Sequence, residues 1–172
     1  MRIILVVIYS LLVFSSCKEQ NKTAAQEFVV YLVRHAEKDT ATPTNDPELT
    51  TCGVLRAKNL VTLLKDVDLD KVYSTNYKRT QNTAKPTAAA KNTTIISYDP
   101  KALNTIAVQV LKEKKNALIV GHSNTTSVLA GMLVGEELEV IDEHIYNRVY
   151  KVMINDKEKT LEVLEPTFEC RE

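Results

Sequence analysis

The fold is decided by the stretch Phe28-Val-Val-Tyr-Leu-Val-Arg-His-Ala-Glu-Lys38. Its first six residues are apolar and mostly β-branched or aromatic, which is typical of a strand buried on both faces of a parallel sheet. Arg34, His35 and Glu37 follow where this strand leaves the sheet. Because ligands of open α/β sheets bind at the carboxyl ends of the strands, these side chains indicate either a ligand site or a solvated loop.

The rest of the chain alternates between helix-like and strand-like segments. The first helix begins after Thr50 or Thr51, either of which can cap it. Its expected apolar face consists of Val54, Ala57, Val61 and Leu64. Further helices are predicted over 75–90, 102–112 and 125–134, and Pro86 can kink the first of these. Strands are predicted over 69–74, 94–98 and 117–120, with a closing hairpin over 148–154 and 160–164.

This alternation predicts an α/β fold, a three-layer sandwich in which a mainly parallel sheet is flanked by helices. Arg34 and His35 follow one strand directly, and His122 follows another. Arg79 comes near the start of the helix after a third strand. If these strands are parallel, the two guanidinium groups and two imidazoles meet at one edge of the sheet. That combination predicts an anion site, since Arg presents a rigid fork of N–H donors that matches phosphate oxygens.

Three motifs carry a resemblance to a known family. They are Arg34-His-Ala-Glu-Lys38, Tyr73-Ser-Thr-Asn-Tyr-Lys-Arg-Thr-Gln-Asn-Thr-Ala84 and Gly121-His-Ser-Asn124. In this order they resemble the histidine phosphatase superfamily, which also contains the cofactor-dependent phosphoglycerate mutases. The stretch from Leu49 through Gly53 to Ala57 is similar to the family's segment after its first loop, and the whole resemblance covers roughly residues 28–134. It implies a phosphoglycerate mutase-like fold.

The resemblance also implies a mechanism. His35 would attack phosphorus and form a phosphohistidine, while Arg34, Arg79 and His122 would bind the phosphoryl oxygens. The two arginines also help to keep the imidazole of His35 neutral and therefore nucleophilic. The expected activity is that of a histidine acid phosphatase-type phosphomonoester hydrolase, with no metal and no cofactor. Its expected partner is a small phosphorylated substrate or a phosphoprotein.

The proton donor to the leaving group stays open between two carboxylates. Asp99 lies at the end of the predicted third strand, near the place where the mutases keep a glutamate. Glu37 lies two residues after the nucleophile. Strand-end placement slightly favours Asp99, but neither residue matches the family's pattern well enough to decide.

Three other functions are alternatives. A phosphoglycerate mutase-type phosphotransferase would need a lid, yet the segment after Arg79 has no room for a long insertion and residues 39–48 form only a short loop. A metal hydrolase could use His35, His122 and Glu37 as ligands, although neighbouring arginines would repel a cation. A non-catalytic lipoprotein could bind a phosphorylated ligand without turning it over.

The first residues resemble a bacterial lipoprotein signal. Arg2 is followed by an apolar segment, by Ser15 and Ser16, and by Cys17. Residues 1–16 are therefore predicted to be a signal peptide, residue 17 the lipidated cysteine, 17–27 a tether, and 28–172 the phosphatase domain. This predicts an exported protein of the bacterial cell envelope, periplasmic or surface-exposed, that contacts the membrane only through its lipid.

Composition limits the remaining possibilities. The 172 residues carry 22 basic and 22 acidic side chains, so no net charge draws the protein to nucleic acid. Cys52 and Cys170 remain in the domain and could pair in an exported protein, but two free thiols are an equal alternative.

Overall fold

The computed structural model describes residues 27–170. The strands are β1 (Phe28–Arg34), β2 (Lys71–Thr75), β3 (Ile95–Tyr98), β4 (Ala117–Gly121), β5 (Val149–Ile154) and β6 (Lys159–Leu164). The helices are α1 (Thr51–Leu63), α2 (Lys78–Ala90), α3 (Leu103–Glu113) and α4 (Thr126–Val134). The predicted signal peptide, the tether up to residue 26 and the lipidation site Cys17 lie outside the described residues.

One six-stranded sheet forms the centre of the molecule, with the strand order β3-β2-β4-β1-β5-β6. The strands β3, β2, β4 and β1 are parallel, whereas β5 and β6 are antiparallel additions beside β1. The predicted α/β fold with a mainly parallel sheet is confirmed. Because β1 and β4 are central neighbours, their carboxyl ends meet in the middle of the sheet edge.

Alternate residues of β1 pack against helices on opposite faces of the sheet. Val30 and Leu32 belong to the core formed with α3 and α4. Tyr31 and Val33 belong to the core formed with α1 and α2. This is why the apolar run of β1 shows no alternation with polar residues: a strand covered on both faces has no solvent side.

The apolar face of α1 differs from the prediction. Ala57 and Leu64 are buried as predicted and Val61 is half-buried, but Val54 is 42% exposed, and the helix buries Gly53 and Leu60 in addition. The cause is the contact at Gly53, where a Cβ would collide with the carbonyl oxygen of Glu37. Because of this close approach, the helix side that contains Gly53, Ala57 and Leu60 faces the core. Thr50 is the N-cap, and its side chain accepts a hydrogen bond from the N–H of Gly53.

The border between β2 and α2 also differs from the prediction. Thr75 is the last residue of β2, where it pairs with Tyr98, and α2 begins only at Lys78. The side chain of Asp46 accepts a hydrogen bond from the N–H of Lys78 at 2.9 Å, which satisfies a free donor at the helix start. The helix continues through Pro86 to Ala90.

The C-terminal segment returns to α1. Cys170 forms a disulfide with Cys52, and the two Cα atoms are 5.6 Å apart. Nearby, the guanidinium of Arg56 lies over the ring of Phe168, 4.6 Å from its centroid. Of the two alternatives for these cysteines, pairing is therefore the observed one. Within residues 27–170, no helix has both the length and the apolar character needed to cross a membrane.

Candidate active site

The carboxyl ends of β1 and β4 are held together by the main chain. Arg34 pairs with Gly121 in the parallel ladder, and the N–H of His35 donates to the carbonyl oxygen of Gly121 at 2.9 Å. Gly121 has no room for a side chain, because a Cβ there would lie 2.8 Å from the Tyr98 hydroxyl. His35 and His122 consequently leave the sheet side by side, with ring centroids 5.6 Å apart.

An open cleft of about 320 Å³ lies at this edge of the sheet. It brings together all four predicted anion-binding and nucleophilic side chains: Arg34, His35, Arg79 and His122. Lys38 and Lys101 add positive charge to its lining, and Glu143 adds a carboxylate. The cleft is thus strongly cationic, as an oxyanion site requires.

The imidazole of His35 is arranged as a nucleophile. It is 3% exposed, and its Nδ1 lies 2.8 Å from the carbonyl oxygen of Ala36. A carbonyl can only accept, so Nδ1 carries the proton and Nε2 keeps its lone pair. Burial above all, together with the charges of Arg34 and Arg79, lowers the pKa of His35 to about 3, although the hydrogen bond to the Ala36 carbonyl acts in the opposite direction. The ring is therefore neutral at ordinary pH.

His122 contacts buried hydroxyl groups on one side and the cleft on the other. Its Nε2 lies 2.9 Å from the hydroxyl oxygen of Thr75. Burial, followed by the charges of Arg79 and Arg34, lowers the pKa of His122 to about 4. The ring of Tyr77 packs edge-on against it, with centroids 5.1 Å apart. His122 is thus a neutral hydrogen-bonding group fixed in orientation.

Arg34 is held by the loop before β5. Its Nη1 donates to the carbonyl oxygens of Asp142 at 3.3 Å and Ile145 at 3.2 Å, and also to that of Glu143. The guanidinium lies 4.2 Å from the ring centroid of Tyr146. Burial lowers the pKa of Arg34 below its ordinary value, although an arginine remains charged. Three carbonyl contacts at one nitrogen fix the guanidinium and leave its other N–H groups for a ligand.

Arg79 is held by α2 and by the loop after β1. Its Nη1 lies 3.5 Å from a carboxylate oxygen of Asp46, and its guanidinium lies 4.4 Å from the ring centroid of Tyr77. Its Nε and Nη1, together with Nε of Arg34, are buried and have no hydrogen-bond partner within the described part of the chain. Buried cationic donors without partners are costly, which indicates that a bound anion completes the site.

The two candidate proton donors are placed differently from the four residues above. Glu37 faces Arg56, whose guanidinium donates to both of its carboxylate oxygens at 2.6 to 2.9 Å. Asp99 is exposed, and its Oδ1 accepts from the N–H of Lys101 at 2.9 Å. It borders a neighbouring depression that shares Tyr77 with the cleft. Neither carboxylate lines the cleft itself, whereas Glu143 does.

A two-histidine, one-carboxylate metal site receives no support from this geometry. Glu37 is engaged by Arg56 rather than directed at the two histidines. Across residues 27–170, no group of three or more histidine, cysteine, aspartate or glutamate side chains is placed to hold a metal ion.

Sequence reasoning did not identify several residues of the site. Thr75 could have been found, because it ends a strand at the same edge as the histidines. Asp46 and Tyr146 could not, because they come from polar loops with no periodicity and reach the site only through tertiary contacts.

Comparison with known proteins agrees with the motifs. Residues 30–104 match the sequence model of a family described as the histidine phosphatase superfamily (branch 1), the superfamily that the motifs resemble. No curated protein matches the chain.

Solved structures share the fold at low sequence identity. The alpha-ribazole phosphatase from Shigella flexneri is 21% identical, with a TM-score of 0.65 over 81% of this chain and 96% of that one. The protein histidine phosphatase SixA, solved with tungstate, is 15% identical, with a TM-score of 0.65 over 80% and 97%. A phosphoglycerate mutase from Bacillus anthracis is 16% identical, with a TM-score of 0.58 over 82% and 94%. The predicted phosphoglycerate mutase-like architecture is thereby confirmed.

Proposed function

We propose that this chain belongs to the histidine phosphatase superfamily, whose branch 1 model matches residues 30–104, and that it hydrolyses phosphomonoesters through a phosphohistidine at His35. The observation that carries the proposal is the tautomer of His35. The Ala36 carbonyl holds the proton on Nδ1, and burial disfavours the charged ring, so Nε2 presents a lone pair inside a cationic cleft. An unprotonated imidazole beside two arginines is suited to attack a phosphoryl group.

The reaction then proceeds in two displacements. The Nε2 lone pair forms the N–P bond while the P–O bond to the leaving group breaks, and the leaving oxygen takes a proton from an acid. Water next attacks phosphorus and gives a proton back to the acid deprotonated in the first step, while the N–P bond breaks; inorganic phosphate leaves and both His35 and the acid are restored. Arg34, Arg79 and His122 stabilise the negative charge on the phosphoryl oxygens in both steps.

We propose Asp99 ahead of Glu37 as the proton donor. Glu37 accepts three hydrogen bonds from Arg56, which occupy both of its carboxylate oxygens and hold them away from the cleft. Asp99 keeps one carboxylate oxygen uncommitted and lies beside Pro100, which lines the cleft. Glu143 is a third carboxylate to include in any test.

The substrate class is a small phosphorylated molecule or a phosphoprotein. The cleft is open, so it admits a phosphoryl group on either. By their names, the two similar phosphatases described above are an alpha-ribazole phosphatase and a protein histidine phosphatase. A phosphatase screen of the purified protein against sugar, nucleotide, phytate-like and phosphoprotein substrates would select between them.

We propose that water, rather than a second hydroxyl group of the substrate, accepts the phosphoryl group from His35. Only residues 91–94 connect α2 to β3, and the 39–48 loop is closed by the bridge between Lys38 and Leu49. Neither segment can form a lid that keeps a phosphohistidine dry. The deciding assay supplies 3-phosphoglycerate with a trace of 2,3-bisphosphoglycerate and follows isomerisation and phosphate release together. Isomerisation that outruns phosphate release by a large factor would overturn hydrolysis in favour of a mutase.

We also propose that the protein is exported and anchored by lipid at Cys17. The support is the apolar segment that ends at Ser15-Ser16-Cys17, together with the disulfide between Cys52 and Cys170. Disulfides persist in oxidising compartments such as the periplasm and the cell surface.

A further inference from the structure

Two buried hydroxyl groups lie behind His122. Thr75 and Thr80 are both 0% exposed, and their hydroxyl oxygens are 2.9 Å apart. The Thr75 oxygen is also 2.9 Å from Nε2 of His122. The Thr80 oxygen is 2.9 Å from the carbonyl oxygens of both Thr75 and Tyr77. The hydroxyls and the imidazole therefore form a continuous chain that ends at backbone carbonyls.

Counting protons along this chain leaves only two arrangements for His122. Thr80 donates either to one of its two carbonyl neighbours, so that its oxygen is an acceptor for Thr75, or to Thr75 itself, in which case Thr75 can donate only to Nε2 of His122. Thr75 has one proton and two candidate acceptors, the Thr80 oxygen and Nε2 of His122. If Thr75 donates to Thr80, it must accept from an N–H at Nε2. If it donates to His122 instead, Nε2 has no proton and the neutral ring carries its proton on Nδ1.

The other ring nitrogen of His122, Nδ1, is the one available to a ligand. Among residues 27–170 it has no hydrogen-bond partner and is not buried, while the ring lines the cleft. In the empty cleft, the charges of Arg34 and Arg79 favour a lone pair at Nδ1 over an N–H, because an N–H dipole would point its positive end at cations. A phosphoryl anion reverses this field and favours an N–H at the same atom.

We propose that Thr75 is a positioning residue whose hydroxyl sets the tautomer of His122, with Thr80 as the alternative acceptor that lets it change. In the empty cleft, Thr75 donates to Thr80 and His122 is protonated at Nε2. With a phosphoryl or other tetrahedral oxyanion bound, Thr75 donates to Nε2 and His122 donates from Nδ1 to the oxyanion. The ring remains neutral in both states, and the proton exchanges through solvent.

This inference rests on the proposed function only in assigning an oxyanion to the cleft, and it can be tested without turnover. Long-range ¹H–¹⁵N correlation spectra distinguish a protonated from an unprotonated ring nitrogen. We expect the free protein to show His122 protonated at Nε2, and saturating inorganic phosphate or vanadate to move the proton to Nδ1. A free protein already protonated at Nδ1, or an unchanged tautomer in the presence of bound anion, would overturn the proposal.

Substitutions at Thr75 and Thr80 distinguish the roles of their two hydroxyl groups. Thr75→Val keeps the shape of the side chain but removes its hydroxyl, so His122 should populate both tautomers, while Thr75→Ser should restore the wild-type spectra. Thr80→Val removes the acceptor, so Thr75 should donate to Nε2 and His122 should carry its proton on Nδ1 even without anion. Thr87→Val is the matched control, because Thr87 is equally buried in α2 and its hydroxyl has no hydrogen-bond partner in the described chain.

Kinetics supply a second measurement. Thr75→Val should lower kcat/KM about tenfold, the typical effect of losing one well-oriented hydrogen bond, whereas Thr75→Ser should recover most of it. Thr87→Val should leave it unchanged. If Thr75→Val and Thr87→Val lower activity equally and leave the His122 spectra like those of the wild type, Thr75 serves packing alone. If all variants lack phosphatase activity but show the expected tautomers, the inference stands and the proposed function fails.

Discussion

The backbone N–H of His35 donates a 2.9 Å hydrogen bond to the carbonyl oxygen of Gly121, the residue that precedes His122. His35 makes this interstrand contact and His122 directly follows its acceptor residue, so the 5.6 Å separation of the two rings follows from the sheet itself. A site built on sheet strands is held more precisely than one built on loops, so the distance from the proposed nucleophile to the proposed phosphate-binding histidine is set before substrate binds.

The nucleophile is tested by removing it. His35→Ala should abolish nearly all turnover, whereas Arg79→Ala and His122→Ala should each lower kcat by a factor of about 100 to 1,000, as expected for a lost charge-stabilising donor. A phosphoenzyme should be trapped at alkaline pH, where phosphohistidine survives, and should map to His35. His144→Ala is the matched control, because His144 is exposed outside the cleft. A phosphoenzyme at Ser123 or Thr125 would contradict the assignment.

The proton donor is tested through the leaving group. Asp99→Asn should slow alkyl phosphates about 100-fold or more while changing nitrophenyl phosphate much less, because an acid matters most when the leaving group is poor. Glu37→Gln and Glu143→Gln, measured with the same pair of substrates, are the comparisons. Selectivity of this kind in Glu37→Gln or Glu143→Gln, and its absence in Asp99→Asn, would transfer the role to that residue.

The low pKa of His35 predicts how stability depends on pH. Its folded-state pKa of about 3 lies below the unfolded value of about 6.5. The unfolded chain therefore binds more protons than the folded one below pH 6.5, so the free energy of unfolding should fall as pH drops from about 6.5 toward 3. At pH 5 this group alone should account for about 2 kcal/mol. Urea unfolding of His35→Asn at pH 7.5 and 5 should show a smaller loss than wild type, and an equal loss would contradict the shift.

The same shift predicts the acid limit of catalysis. Because protonation of Nε2 removes the nucleophile, kcat/KM for nitrophenyl phosphate should stay high down to about pH 5 and decline only toward pH 4 and below, where His35 and His122 titrate. Initial rates measured above the acid-unfolding transition test this. A decline centred near pH 6.5 would indicate that His35 is not protected from protonation.

The disulfide should stabilise the domain. Cys52 and Cys170 are separated by 118 positions in sequence, so their link restricts the unfolded chain strongly, and the Cys52→Ser, Cys170→Ser double variant should lose about 2 to 4 kcal/mol. Denaturant unfolding with and without a thiol reductant measures the effect. Reductant should destabilise the wild type and leave the double variant unchanged, and a wild type insensitive to full reduction would contradict the prediction.

The lipid anchor is tested at Cys17. Cys17→Ala should release the protein from the membrane fraction or leave it as unprocessed precursor, because the acceptor thiol is gone. Cell fractionation with metabolic labelling by a fatty acid provides the measurement, and Cys52→Ser is the control for loss of a cysteine as such. Unchanged labelling and unchanged membrane association in Cys17→Ala would exclude the anchor.

The sequence predicted those parts of the site that follow from strand ends. Arg34, His35 and His122 directly follow apolar runs, and the parallel topology expected from alternating elements brings them together. The same rule applied to Thr75 would have identified it, had β2 been extended by one residue.

Other features depend on contacts that no local pattern encodes. The orientation of α1 is set by Gly53 against the Glu37 carbonyl, which moved the buried face from Val54 to Gly53. Arg34 donates hydrogen bonds to backbone carbonyls of residues 142–145, which lie more than a hundred positions away in the sequence. The pairing of Cys52 with Cys170 likewise required the path of the C-terminal segment.

Because β1 and β4 lie in the centre of the sheet, some parts of the cleft can change in sequence more easily than others. Core strands are among the last elements to open in native-state hydrogen exchange, so we expect slow exchange in β1 and β4, which directly precede His35 and His122. Residues 39–48 and 142–145, by contrast, are connecting segments, and their contacts to Arg79 and Arg34 are made from the surface. Substitutions in these two segments can change which phosphorylated molecule fits without disturbing the reacting pair. The sheet therefore fixes the residues proposed for the chemistry. The connecting segments, which we expect to recognise the rest of the substrate, can vary in sequence.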